Sequence, residues 1–492
     1  RRFQAEQVTG YIDWQAGLVR EYSRPEQFVT TCLALDRPAT DEAKLTRGLD
    51  VAATNPYYAM QDYLDRGFDL PRPEPWIRSG ITGLLELADR SYAAKQGRFL
   101  VTETNAQAIG FSGLNLPPYP GQLQQAGLAL VARGAAMIEY WHWHTNHFGA
   151  ETYWMGVLPH SQEPGRVYRE LAELGRILAH FQDRLDGYVP DADVAIMFST
   201  DSKYALEFQP PFADGAHRTG TYTASDPTAY HDIVEAFASG AREAGAQVRY
   251  VHADQFSEVP AAELAAAYPV IVAAGFYTAT TAQLAVLRDY AAAGGHLILG
   301  IRTGYGDDEA RARCAVAPDV VGQAAGVRYD EFTTLREPLA LVGDIAEGAR
   351  ATRWADLLVA DAQTTILASY DHPEFGRYPA LTTREHGSGR VTYVGTVPNR
   401  QLAADVIGRA VTAPRAGQWS AEPTVTVMSG TTPSAGYYFV HNWSAHAATV
   451  TPPVSATELT RGVEAVAGVP LEIPARSSLV FAHTSTPSKE KK

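Results

Sequence analysis

From Arg1 to about Tyr188, short apolar runs alternate with stretches in which apolar residues return at helical spacing. Gln27–Leu33, Leu49–Thr54, Phe99–Glu103 and Ala135–Trp143 have the length and composition of strands. Phe3–Tyr22, Ser79–Lys95, Gly121–Arg133 and Arg166–Leu185 carry the helical period. Such alternation predicts a parallel sheet with right-handed crossovers. Polar and aromatic residues gather just after each run, in Asp36-Arg37-Pro38, Asn55-Pro56-Tyr57-Tyr58, Glu103-Thr104-Asn105 and from Trp141 to Trp154. A (β/α)₈ barrel keeps its chemistry at that end of its strands. Only four strand–helix units are visible, and four leave a parallel sheet unclosed with both edges open. The pattern therefore predicts either an open doubly wound domain or the C-terminal half of a barrel.

A second α/β zone follows, from Pro190 to roughly Ala413. Its predicted strands are Asp193–Phe198, Gln247–Val251, Val270–Ala274, His296–Ile301, Thr365–Ser369 and Arg390–Gly395; its helices are His231–Ala244 and Thr281–Ala293. Asp201–Tyr230, rich in Pro, Gly and Asp, reads as a long irregular excursion, an interface or a lid. The last zone, about Glu422 to His483, alternates in Thr424–Met428, Gly436–Asn442, Ala448–Thr451 and Ser478–Ala482. With no helical stretch between them, these predict a small antiparallel sandwich ahead of a polar, disordered tail.

Composition narrows the function classes. Lys+Arg 41 against Asp+Glu 55 gives a formal charge of −14, which disfavours phosphate backbones and anionic lipid. Hydrophobic content of 46% with 20% charged is globular. Cys32 and Cys314 alone exclude a disulfide scaffold and a Cys-rich zinc module. No apolar run reaches membrane-helix length and no signal peptide opens the chain, so the expectation is a cytoplasmic protein. The chain starts Arg1-Arg2-Phe3, without a methionine and already within a helical pattern.

Chemistry concentrates between Glu103 and His160. Trp141, Trp143 and Trp154 fall there, with His142, His144, His147 and His160. Strand alternation over Ala135–Trp143 would put Glu139, Trp141 and Trp143 on one face and His142 on the other. Aromatic planes beside imidazoles and carboxylates suit a sugar, whose C–H face stacks while its hydroxyls are shared among polar groups. The alternative is an aromatic core plug capped by surface histidines. Glu103 ends an apolar run, a position costly to bury unless paired and favoured for catalysis, or else that of a salt-bridged rim residue. His142 and His144 could share an ion, but no HExxH motif or close carboxylate–His pair supports a metal, and no cofactor is implied. In the second zone Ser199-Thr200-Asp201-Ser202 replaces a GxGxxG turn, and Cys314 has no strand–helix elbow. A structural or oligomerising role fits that zone better than catalysis. Asn442-Trp443-Ser444 is read as a chance match to a glycosylation acceptor.

Val101-Thr102-Glu103-Thr104-Asn105-Ala106-Gln107, the helix opened by Gly121, Trp141-His142-Trp143-His144 and the block Gly149–His160 together resemble glycoside hydrolase family 42, the β-galactosidases. Pro190–Glu331 resembles that family's trimerisation domain, and the C-terminal sandwich fits as well. The resemblance implies the C-terminal half of a (β/α)₈ TIM barrel over 1–188 and a flavodoxin/glutamine-amidotransferase-like α/β trimerisation domain over 189–415. It further implies a β-sandwich over 420–484, with 485–492 as the disordered tail.

It also implies a retaining mechanism. Glu103 stands where the family's nucleophile sits, at the end of strand seven. The acid/base glutamate belongs in an Asn-Glu pair at the end of strand four, and no Asn-Glu precedes Glu103. The resemblance is thus to a member without its first half-barrel, and the chain alone is expected to turn over poorly. Glu151 matches the glutamate that binds sugar hydroxyls, while Trp141 and Trp143 stand as substrate-binding candidates on their own chemistry. Departures are Trp154 for a His, His144 for an Arg, Phe111 for a Trp, and Asn55 and Cys32 for an Asp and an Asn. These leave open a related glycosidase, such as an α-L-arabinopyranosidase, or a non-catalytic carbohydrate-binding homologue. The expected partners are a galactoside or small oligosaccharide and two further copies of the chain, with neither nucleic acid nor membrane.

Overall fold

The computed structural model describes residues 1–35, 37–64, 77–110, 112–212, 218–219, 222–223, 226, 228–417, 419–460 and 462–483. The tail expected to be disordered lies outside them. The chain divides into two compact units. One holds Arg1–Glu6 with Ala192–Thr412, the other Gln7–Asp191 with Ala413–Lys492.

In the second of these, helix α1 (Arg2–Tyr22) sets Ile12 and Ala16 against Val29, Leu33, Leu45 and Leu49. Four strands follow: β1 (Cys32–Leu33), β2 (Ala53–Thr54), β3 (Phe99–Val101) and β4 (Ala135–Ile138). They pair in parallel, in chain order. Helices α2 (Glu42–Thr46), α3 (Gly80–Lys95) and α4 (Gln122–Ala132) connect them, and α5 (Arg166–Phe181) follows. The expected runs are thus cut to ladders of two to four residues. Apolar residues ahead of the first two ladders pack in the core, as Val29 and Leu49 do under α1.

Almost all of α3 is buried, including Glu86, Asp89 and Arg90. Buried charges need partners, and Arg133 meets Asp89 at 2.5 Å while Arg90 meets Glu42 at 2.8 Å.

The C-terminal residues form two antiparallel sheets. A six-stranded one includes Val425–Thr431, Gly436–Asn442 and Ser477–His483, with Val189–Pro190 at its edge; a three-stranded one comprises Ser420–Ala421, Ala448–Thr451 and Leu471–Ile473. Alternation explains why Gly436–Asn442 is buried throughout. Tyr438 and Val440 face a core with Val450 and Ile473, whereas Tyr437 and Phe439 join Leu123, Ala126 and Leu130 of α4. That second face is why 413–483 cluster with the four parallel strands. Asn442 is buried, its amide donating to the carbonyls of His446, Ile473 and Pro474, which agrees with the chance reading of its sequon.

In the other unit, Val248–His252, Val194–Phe198, Val270–Ala273, His296–Leu299 and Gly389–Val394 lie side by side in parallel. By chain position that is the 2-1-3-4-5 order of flavodoxin-like sheets. Five antiparallel strands continue this sheet: Pro379–His386, Thr365–Tyr370, Leu339–Gly343, Arg350–Asp356 and Phe332–Thr334. Of these only Thr365–Ser369 was legible in the sequence. The irregular reading of Asp201–Tyr230 needs correction at its start. Thr200–Phe208 is a helix whose N-cap Ser199 accepts the Ser202 N–H at 3.1 Å.

Candidate active site

Beyond their short ladders the strands are continued by single bonds. Thr104 N–H donates to Glu139 O at 3.0 Å and Trp141 N–H to Thr104 O at 2.7 Å. Asn105 and Trp141 form a parallel bridge, and the Asn105 amide donates to Tyr58 O at 3.1 Å. Glu103 is thereby half-buried two residues past β3. Its Oε2 accepts the Tyr57 O–H at 2.7 Å. Tyr57 is itself buried, packed with Ile77 and Ile109 against Trp141 and Trp154, its ring edge-on to Trp154 at 6.4 Å. Burial first, then the Glu103 bond and the charges of Glu103 and Glu151, push its phenol far above the usual tyrosine range. The Tyr57 phenol is therefore a held donor between two carboxylate-bearing segments.

Segment 141–160 folds back on itself. Val157 and Leu158 N–H groups donate to His142 O and Trp143 O at 2.7 and 2.8 Å. Buried Thr145 staples the turn, Oγ1 donating to Leu158 O and accepting from Gly156 N–H, both at 3.0 Å. Gly156 is required there, since a Cβ would stand 2.7 Å from His142 O. His142 Nε2 donates to Trp154 O at 2.7 Å and its ring stacks on Trp141 at 5.4 Å. Trp141 Nε1 is buried and has no hydrogen-bond partner among the described residues.

The expected residues distribute unevenly. Glu103, Trp141 and Trp154 meet around Tyr57, and the half-buried Glu151 acts on the same phenol. Asn55, half-buried at the end of β2, accepts the Thr102 hydroxyl at 3.0 Å. The single-face expectation for Glu139, Trp141 and Trp143 fails. The β4 ladder stops at Ile138, Glu139 is exposed, and Trp143 is 61% exposed against Tyr168. His144 and Cys32 are exposed, and Phe111 lies outside the described residues. No group of three or more His, Cys, Asp or Glu that could hold a metal ion occurs among the described residues. None of the helices described is long and apolar enough to cross a membrane. Tyr57 was missed as a site residue. Its place just past the end of an apolar run was visible, but not the direction of its hydroxyl.

Comparisons with known proteins extend this picture. A family model described as "Beta-galactosidase" matches residues 1–181, and one described as "Beta-galactosidase trimerisation domain" matches 192–415. The β-galactosidase BgaA of Clostridium cellulovorans is 24% identical over 413 residues, 83% of this chain and 57% of that protein. The β-galactosidase Bga of Halorubrum lacusprofundi is 28% identical over 433 residues, again 83% and 57%. The chain thus spans little more than half the length of these curated relatives. Among solved structures, a β-galactosidase from Bacillus circulans sp. alkalophilus superposes with a TM-score of 0.84 at 20% identity, covering 98% of this chain and 67% of that one. Gan42B, a GH42 β-galactosidase from G. stearothermophilus, gives 0.83 at 19% identity with the same coverage.

Proposed function

Because the chain belongs to the glycoside hydrolase family 42 β-galactosidases, we propose that it carries the nucleophile half of a retaining galactoside-hydrolysing site. In this reading β1–β4 are strands five to eight of a (β/α)₈ barrel, and residues 413–483 form the family's C-terminal sandwich. A Glu103 oxygen attacks the anomeric carbon of a terminal β-D-galactosyl unit. The bond to the leaving oxygen breaks, and water later releases the sugar from the ester. The observation that carries it is the Tyr57–Glu103 bond of 2.7 Å at the carboxyl end of β3, against the Trp141 and Trp154 rings. Glu151 supplies contacts to sugar hydroxyls, and Trp141 an aromatic face. Asn55, Trp143, His144 and Trp154 line the remainder of the sugar site in this proposal.

A retaining site needs a second carboxyl about 5–5.5 Å from the first as proton donor. The proposal assigns that role to none of the described residues, so the chain depends on leaving groups that depart without a proton. Mixing the 492-residue chain with a 2-deoxy-2-fluoro-β-galactoside bearing a dinitrophenolate leaving group should add one sugar per chain, mapped to Glu103. Glu103→Gln should abolish the adduct. Labelling of another residue refutes the nucleophile assignment, and normal turnover of unactivated galactosides by this chain refutes its dependence on activated leaving groups. For residues 192–415 we propose homotrimer formation, which light scattering would show as three chains per particle.

A further inference from the structure

Arg78, Glu86, Arg90 and Glu42 form a run of buried charged side chains, each no more than 3% exposed. They alternate in sign. Arg78 Nη2 and Arg90 Nη1 both stand 3.7 Å from Glu86 Oε1, and Arg90 Nη2 is 2.8 Å from Glu42 Oε1 and 3.0 Å from Leu35 O. Such a chain is a poor source of stability, because burying ions costs about what their attraction returns. What it does supply is position, since a member moved from its place leaves its buried neighbours less compensated.

The position supplied is that of Tyr57. Arg78 N–H donates to Tyr57 O at 3.0 Å, and Ala59 N–H donates to Arg78 O at 2.8 Å. Residues 77 and 78 are thus a two-residue plank beside 57–59. Ile77 packs in the aromatic cluster with Tyr57, while Arg78 runs to the ion chain on α3. Gly83 lets α3 come this near, as a Cβ there would lie 2.8 Å from Arg78 Cβ.

We propose that Arg78 is a positioning residue, its seat in the buried ion chain holding the Tyr57 phenol on Glu103. The catalytic consequence rests on the reading of Glu103 as nucleophile; the structural link does not.

The test is an alkaline titration of the full chain followed by phenolate absorbance, each protein compared with its own Tyr57→Phe derivative. In the parent, Tyr57 should stay protonated through about pH 9–11, where ordinary tyrosines ionise, so parent and derivative match. Arg78→Met should free the phenol, giving one more ionising tyrosine per chain than its derivative. Arg78→Lys, which keeps a cation against Glu86, should behave as the parent. Glu86→Gln removes the charge that faces Arg78 Nη2 without removing bulk, and decides the matter if Arg78→Met fails to fold by circular dichroism. Absence of the extra phenol in a folded Arg78→Met or Glu86→Gln protein overturns the proposal. Failure of the parent to label at Glu103 would sink the nucleophile assignment while leaving this titration intact.

Discussion

Asp356 offers the most quantitative perturbation. It ends the strand Arg350–Asp356, is fully buried, and accepts Trp354 Nε1–H at 2.8 Å and the Tyr393 O–H at 3.0 Å. Burial pushes its carboxyl up to about 6, against the pull of these two bonds and of the Arg302 guanidinium. In the unfolded chain the group titrates near about 3.9. Between those values the folded state keeps a proton that the unfolded state has released, so stability is full below about pH 4 and falls as pH rises through about 6. Two pH units correspond to about 3 kcal/mol lost by about pH 7.5. Asp356→Asn keeps the shape and an acceptor for Trp354 while abolishing the charge. It should therefore leave stability unchanged near about pH 4 and raise it by about 3 kcal/mol at about pH 7.5. For a unit of this size that is roughly 6–12 °C in the melting transition. Calorimetry of parent and variant across that pH range measures the difference. Parallel stability curves would refute the assignment of a raised carboxyl, and a loss at every pH would show that the two hydrogen bonds need the carboxylate.

Three further outcomes follow from the site. Tyr57→Phe removes the donor to Glu103 Oε2, a bond to a charged group worth about 1.5–3 kcal/mol, and should slow fluorosugar labelling about 10- to 100-fold; an unchanged rate would remove Tyr57 from the machinery. Thr145→Val deletes both staple bonds and leaves the Gly156 N–H without its acceptor, at about 1–3 kcal/mol, so hydrogen exchange at Val157 and Leu158 should accelerate while distant strands stay protected. Gly156→Ala brings a methyl 2.7 Å from His142 O and should cost about 1–3 kcal/mol, read by the same exchange experiment; wild-type protection would show that the turn is slack.

The legibility of the chain followed the strength of its periodicities. Helices such as Arg166–Phe181 and the buried strand Val194–Phe198 were found within a few residues, because long amphipathic or wholly apolar stretches have few other readings. The antiparallel strands between Phe332 and Pro379 were mostly missed. Leu339–Gly343 is half-covered or exposed along its length, so no apolar alternation marks it. The last zone looked self-contained in sequence, yet one face of Gly436–Asn442 is covered by α4, from far earlier in the chain. A strand buried on both faces records that it is covered, not by what.

The same limit explains the site. Ala135–Trp143 was read as one long strand, and its alternation assigned Glu139, Trp141 and Trp143 to one face. The ladder ends at Ile138, and past that point each residue is aimed by its own bonds: Glu139 through the Thr104 amide, Trp141 through Thr104 O, Trp143 through the Leu158 amide. Period-two reasoning holds only while the ladder does. Residues at the carboxyl ends of short parallel strands are beyond it by construction, which frees their side chains to converge. The Tyr57 phenol reaches Glu103 from the neighbouring strand's end because β2 and β3 stop after Thr54 and Val101. Longer ladders would have made the segment easier to read and would have turned alternate side chains away from the cluster that the proposed chemistry needs.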